Sequence, residues 1–273
     1  MKTLRTVAAV CAITALASTT ACAQSAPASS EYTPSSGQAG KDVVWVPTPQ
    51  ALVDRMLDMA KVTPKDYLID LGSGDGRTVI TAAQRGVRAH GIEYNPDMVA
   101  LAQRAAKTQG VSSLATFEQA DIFESDFSRA SVITLFLLPA LNVKLRPTLL
   151  EMKPGTRIVS NSFDMGDWQP DEEINAGGDC TSWCTAYKWV VPARVEGNWK
   201  LASGDLKLSQ RYQMLSGELV QGGNSLPISD AKMDGAQITF TAGNQRYTGE
   251  VADGAMSGRT SGGQSWSAAR STR

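Results

Sequence analysis

A single histidine, His90, serves the whole 273-residue chain. It sits inside an apolar run beside Gly91 and reads as structural, which argues against chemistry built on a histidine base. No Gly-x-Ser-x-Gly elbow is present, so a Ser-His-Asp hydrolase has neither its nucleophile turn nor a free base. No Gly-Lys-Ser/Thr follows the one glycine-rich stretch, which excludes a phosphate-binding loop of the P-loop type. The 26 Lys and Arg nearly match the 27 Asp and Glu, the formal charge is −1, and the basic residues form no run. Such a chain grips a phosphate backbone poorly, and no nucleic-acid partner is expected. The apolar stretch at 7–18 is too short to span a bilayer. No repeat of solenoid type occurs. Cysteine is scarce, with four in all, and two thiols beside one distant histidine predict no metal site.

What is present begins with an N-terminus of secretory character. Lys2 and Arg5 precede the apolar stretch, and Ala21-Cys22-Ala23 offers a small-x-small cleavage site. A signal peptide over 1–23 is expected, with export to the periplasm or cell envelope. Three outcomes stay open: cleavage that leaves Gln24 first, lipidation of Cys22 and a membrane tether, or an uncleaved disordered tail. Cys11 and Cys22 belong to this segment, which leaves Cys180 and Cys184. Their three-residue spacing is not the thioredoxin-like motif, and in an oxidising compartment they are expected to close a small disulfide loop.

Residues 24–42, rich in Ser, Ala, Pro and Gly, read as a disordered linker. A first domain is expected over 43–196. Thr48-Pro49 suits a helix start, with Thr48 as cap. Strands are expected at 68–71, 87–92, 115–119, 132–136 and 157–160, alternating with helices at 78–84, 97–108 and 140–152. That alternation predicts a Rossmann-like, mostly parallel sheet covered on both faces. From 197 to 273 the pattern changes to short alternating segments, at 199–202, 206–212, 238–241, 246–251 and 266–269. These predict a small antiparallel β domain, barrel or sandwich. Trp183, Trp189, Trp199 and Trp266 lie in the later part of the chain, enough to seed a second core, while 187–191 is expected as a strand that still belongs to the first domain as its closing hairpin.

The chemistry concentrates in Tyr67-Leu-Ile-Asp-Leu-Gly-Ser-Gly-Asp-Gly-Arg-Thr78. An apolar strand runs into Gly72, Gly74 and Gly76, then into a helix, which is how an α/β sheet approaches a nucleotide-like ligand. The spacing is not Gly-x-Gly-x-x-Gly, because Arg77 stands at the last position. Three acids end three successive strands: Asp70, Glu93 and Asp121. Together they suit S-adenosylmethionine as cofactor. Asp70 can receive an ammonium, Glu93 two ribose hydroxyls, and Asp121 the adenine amino group, with Ile122 on the adenine face. Gly72 and Gly74 allow close backbone approach. Each acid alone could be an ordinary turn or capping residue; their joint placement favours a site.

Asp-Leu-Gly-Ser-Gly-Asp-Gly (70–76), Glu93 and Asp121-Ile122 resemble the motifs of class I, seven-strand S-adenosylmethionine-dependent methyltransferases. Val46-Pro-Thr-Pro49, Thr134-Leu-Phe-Leu-Leu-Pro139 and Pro154-Gly-Thr-Arg-Ile-Val-Ser160 resemble the small prokaryotic and mitochondrial protein-lysine methyltransferases, which act on a component of ATP synthase and on the adenine nucleotide carrier. The resemblance implies methyl transfer to protein lysine. The leader and the β tail depart from that family and leave the acceptor, protein or small molecule, open. No Asn/Asp-Pro-Pro-Tyr stands after the fourth strand. Phe136, Leu138 and Asn142 there, and Asp164 or Asp167 after the fifth strand, are the acceptor-side candidates; each is equally readable as part of the core or a turn. The alternative function is an exported, non-catalytic ligand-binding protein with a β interaction module.

Overall fold

The computed structural model describes residues 32–178 and 180–271. The expected leader with Cys22, and the linker's first part at 24–31, lie outside the described residues. Five short apolar runs become parallel strands: β1 (Tyr67–Leu71), β2 (Arg88–Glu93), β3 (Ala115–Gln119), β4 (Val132–Leu135) and β5 (Arg157–Asn161). Side chains alternate across the sheet. Leu68, Val132 and Val159 face α1 (Gln50–Met59), α2 (Arg77–Gln84) and α3 (Pro96–Thr108). Ile69, Leu71, Ile133, Leu135 and Ile158 face the other way, towards α4 (Pro139–Leu150) and Trp168. Burial on both faces explains the continuous apolar runs.

Two further strands finish the sheet, β6 (Glu172–Asn175) and β7 (Thr185–Val190). The order is β3-β2-β1-β4-β5-β7-β6, with β7 antiparallel to both β5 and β6. The sequence pattern gives no sign of β6, because Glu-Glu-Ile-Asn is largely exposed and carries one apolar residue. From β1 the strand order runs one way to β3, and from β4 it runs the other way. That switch opens a crevice at the carboxyl ends of the strands.

The tail closes into an eight-stranded barrel, β8 (Gly197–Leu201), β9 (Gly204–Arg211), β10 (Met214–Gln221), β11 (Asn224–Asp234), β12 (Gln237–Ala242), β13 (Gln245–Ala252), β14 (Ala255–Thr260) and β15 (Ser265–Arg270). β10, β11 and β14 exceed the expected strands. β11 carries Pro227, a positive φ of 48° at Asp230 and a register shift between Ser229 and Lys232, all of which interrupt simple alternation. The barrel interior is filled by Trp199, Leu206, Leu219, Ile238, Phe240 and Trp266. Of the four tryptophans, Trp199 and Trp266 lie in this core; Trp189 belongs to the sheet, on the strand β7 expected at 187–191 as part of the first domain, and Trp183 to an exposed loop.

Two local expectations are corrected. The linker was expected to run to residue 42, yet Gly37 N donates to Trp45 O at 2.7 Å, Trp45 N donates to Gln38 O at 2.9 Å, and Lys41 pairs with Asp121. Poor in apolar residues, this strap is held by polar partners on the strand ends. Thr48 makes no side-chain cap of α1; its hydroxyl accepts from Asn161 Nδ2 at 3.2 Å and its carbonyl from Arg77 at 2.9 Å. Among the described residues, no helix is long and apolar enough to cross a membrane.

Candidate active site

The bend after β1 is built by backbone. Gly72 N and Ser73 N both donate to Ile92 O, at 2.9 and 3.0 Å, and tie the turn to β2. Gly74 has φ 52°, and a Cβ there would stand 2.5 Å from Trp45 Nε1. Gly76, at φ 81°, leaves room for Phe117 and Ala102 of the next layer, which a Cβ would meet at 2.7 Å. The first glycines thus open the turn to the cavity, and the third lets α2 pack.

One cavity at this sheet edge is lined by Asp70, Gly72, Gly74, Glu93, Asp121, Ile122 and Phe136. Asp70 is buried, and its Oδ1 accepts from Thr134 Oγ1 at 2.6 Å. Burial pushes its carboxyl up to about 7; the Thr134 bond opposes this, and the negative fields of Asp75 and Glu93 add to it. Glu93 accepts from Gly74 N through Oε2 and from Asn95 N through Oε1, both at 2.9 Å. Asn95 in turn caps α3, accepting from Asp97 N at 2.9 Å. Asp121 accepts from Phe123 N at 2.9 Å and is paired with Lys41, whose ammonium lies 4.9 Å from the Tyr94 ring centre. The Lys41 bond is the main cause holding Asp121 below the ordinary carboxylate range.

Residues 70–172 match the family described as the ANTKMT methyltransferase domain. A protein-lysine N-methyltransferase of Saccharolobus islandicus is 44% identical over 152 residues, covering 55% of this chain and 94% of that protein. The chain is a class I S-adenosylmethionine-dependent methyltransferase, related to the protein-lysine N-methyltransferases. The adenine nucleotide translocase lysine N-methyltransferase of Mus musculus is 34% identical over 129 residues, but these span 46% of this chain and 56% of that protein. A solved structure from Salinibacter ruber, described as an RNA methyltransferase in complex with S-adenosyl-L-homocysteine, is 49% identical. It superposes with a TM-score of 0.51 over 55% of this chain and 96% of its own.

The methyltransferase's cavity fits its cofactor on local grounds. Ser73 lines the cavity, and its buried hydroxyl has no hydrogen-bond partner among the described residues. The raised Asp70 carboxyl would gain from an ammonium beside it. Each Glu93 oxygen, having accepted one backbone N–H, keeps acceptor capacity for a diol.

The acceptor-side candidates divide. Phe136 lines the cavity, whereas Asn142 does not. Asn142 is fully buried, and its Nδ2 donates to Phe163 O and Asp164 O at 3.1 and 3.0 Å. It fastens the loop after β5 rather than facing a substrate. Asp164 is exposed outside the cavity lining, its Oδ1 accepting from Gly166 N at 3.0 Å. Asp167 is engaged by Arg146, Arg211 and Tyr212. His90 is held by Thr116 at 2.8 Å, with Glu118 at 3.3 Å from its other nitrogen. Cys180 and Cys184 are joined by a disulfide. Thr134, Lys41 and Trp45 join the site without having been expected there. Thr134 lies opposite Asp70 in the β1–β4 register, a pairing that only the folded sheet reveals; the other two reach the site across the chain.

Proposed function

We propose that this methyltransferase transfers the methyl of S-adenosylmethionine to the ε-amine of lysine in a protein. The observation that carries the reading is the gathering of Asp70, Glu93, Asp121 and the glycine bend around one cavity. In it Asp70 holds the cofactor's ammonium, Glu93 its ribose diol, and Asp121 and Ile122 its adenine. When bound, the cofactor supplies a methyl already activated by a sulfonium leaving group. The chain's own task is then to align the amine and keep the site dry. A lysine amine sheds its proton in water only near pH 10, and a desolvated, apolar approach lowers that value. Phe136 and Leu137 supply such a wall, so no strong base is required.

Support for lysine over RNA comes from charge. The net charge of −1 and the lack of any Lys/Arg run give no sequence sign of a grip on a phosphate backbone, and two relatives are named for lysine. The test supplies isotope-labelled S-adenosylmethionine with a mixed protein fraction and, in parallel, total RNA. Label recovered as N-methyl-lysine supports the reading; label in RNA alone overturns it. Calorimetric binding of S-adenosylhomocysteine with no transfer to either pool would favour the non-catalytic binder. We also propose export, on the strength of the N-terminal sequence character; sequencing the mature N-terminus decides between Gln24, a lipid-bearing Cys22 and an unprocessed chain.

A further inference from the structure

Three aromatic rings stand together beside the cofactor cavity, and no role above uses them as a group. Phe136 leaves β4 and lines the cavity. Phe163, after β5, lies 6.1 Å from it between ring centres. Trp183, before β7, lies 5.8 Å from Phe136 and 5.5 Å from Phe163. The last two pairs are tilted, at 59° and 50°, so the cluster is not a flat stack. Trp183 is 43% exposed, an unusual place for a large indole, and its φ of 56° is a conformation bulky residues avoid. The chain nevertheless holds it there, between Cys180 and Cys184 of the disulfide. Phe163 is held too, through the bond from Asn142 to its carbonyl.

We propose that Phe136, Phe163 and Trp183 form the acceptor subsite, a three-ring mouth that takes a long alkylammonium side chain and leads it to the cavity. This rests on the lysine reading above. Ring faces attract an ammonium, and a four-carbon stem lies against them without losing hydration of its charged end. Continuity favours this occupant, because the innermost ring is already a wall of the cofactor cavity. Charge favours it as well: Asp164, next to Phe163, presents an exposed carboxylate. Trp183 therefore governs acceptor affinity and leaves the cofactor's carboxylates untouched.

The experiment titrates the full chain, saturated with S-adenosylhomocysteine, with N-acetyl-lysine methylamide and with its neutral analogue N-acetyl-norleucine methylamide. Wild type is expected to favour the lysine probe at least fivefold. Trp183→Ala is expected to weaken that probe at least fivefold, and Trp183→Phe to restore it to within about twofold. Affinity for S-adenosylhomocysteine and the melting temperature should stay at wild-type values in both variants. Equal affinity for the two probes, or a lysine probe indifferent to Trp183→Ala, overturns the subsite while lysine methylation by the wild type persists. Methylation found only on a different nucleophile overturns the underlying reading instead.

Discussion

Glu93 does two jobs with one carboxylate. It closes the glycine bend by accepting from Gly74 N, and it starts the next helix by accepting from Asn95 N. Glu93→Ala is therefore expected to weaken S-adenosylmethionine by about 1–3 kcal/mol, measured by calorimetry, with a loss of melting temperature alongside. Unchanged affinity would remove the ribose assignment. Asp70 gives a pH signature. Its carboxyl titrates near 7 in the folded protein, above the ordinary value near 4, so the native state binds the extra proton between those limits. Stability of the ligand-free protein is thus expected to fall as pH rises from about 4 to about 7, a slope that Asp70→Asn removes. A ligand ammonium favours the charged carboxylate, so binding should release a proton near neutrality and strengthen as pH rises through 7. Titration in two buffers of different ionisation heat reads this directly; identical heats in both would refute it. These acids were legible because each ends an apolar strand run. Thr134 and Lys41 were not, since their partners lie 64 and 80 positions away.

Short segments without regular structure shape the access to the site. Gly40, Lys41 and Asp42 line the cavity from a segment whose composition reads as a tether, Val44 and Trp45 continue that lining, and Arg77 pins the end of the strap by bonding Thr48 O at 2.9 Å. Composition measures what a segment can bury by itself; it does not register polar partners supplied by distant strand ends. Lys41 occupies the carboxylate proposed for adenine. Lys41→Ala is accordingly expected to tighten S-adenosylmethionine binding and to flatten its dependence on salt; weaker binding would make the strap a clamp on the ligand instead of a competitor for Asp121. The disulfide loop is the second such device. Closing so short a ring removes on the order of 2 kcal/mol of chain entropy from the open loop. Replacing Cys180→Ser and Cys184→Ser together should raise the KM for the lysine acceptor and leave cofactor affinity unchanged. A KM equal to that of wild type would separate the disulfide from the acceptor path.

At the scale of the whole molecule, the barrel is fastened to the sheet through a polar and aromatic joint. Trp168 is fully buried, with Trp189 at 6.1 Å and Tyr212 at 5.8 Å between ring centres. Its indole donates to Gln213 Oε1 at 3.0 Å, and Gln213 Nε2 donates back to Gln169 O at 2.8 Å. Asp167 joins Arg146 of α4 to Arg211 and Tyr212 at the end of β9; bonds from Arg211 and Tyr212, with Arg146 after them, hold its carboxyl well below the ordinary range. The change from alternating helices and strands to strands alone made two regions legible in the sequence. Their joint was not, because Tyr212 reads as the last residue of the expected segment 206–212 and Gln213 carries no signal of its own, while their partners read as a stretch after the fifth strand. The family match at residues 70–172 ends before the barrel begins at Gly197, so the barrel stands outside the matched unit. The joint predicts that the two halves melt together. Gln213→Ala leaves the Trp168 indole N–H buried without its acceptor, at a cost of about 1–3 kcal/mol. The expected result in differential scanning calorimetry is one transition moved to lower temperature, with both near-ultraviolet tryptophan signals and β-sheet signal lost at the same midpoint. Asp167→Asn should preserve that single transition at neutral pH and reduce the loss of stability on acidification, since a carboxylate with a depressed value stabilises above its ordinary range and loses that contribution as pH falls. Two resolved transitions in the wild type, or a Gln213→Ala variant in which barrel and sheet still melt at the wild-type temperature, would show that the joint carries no coupling.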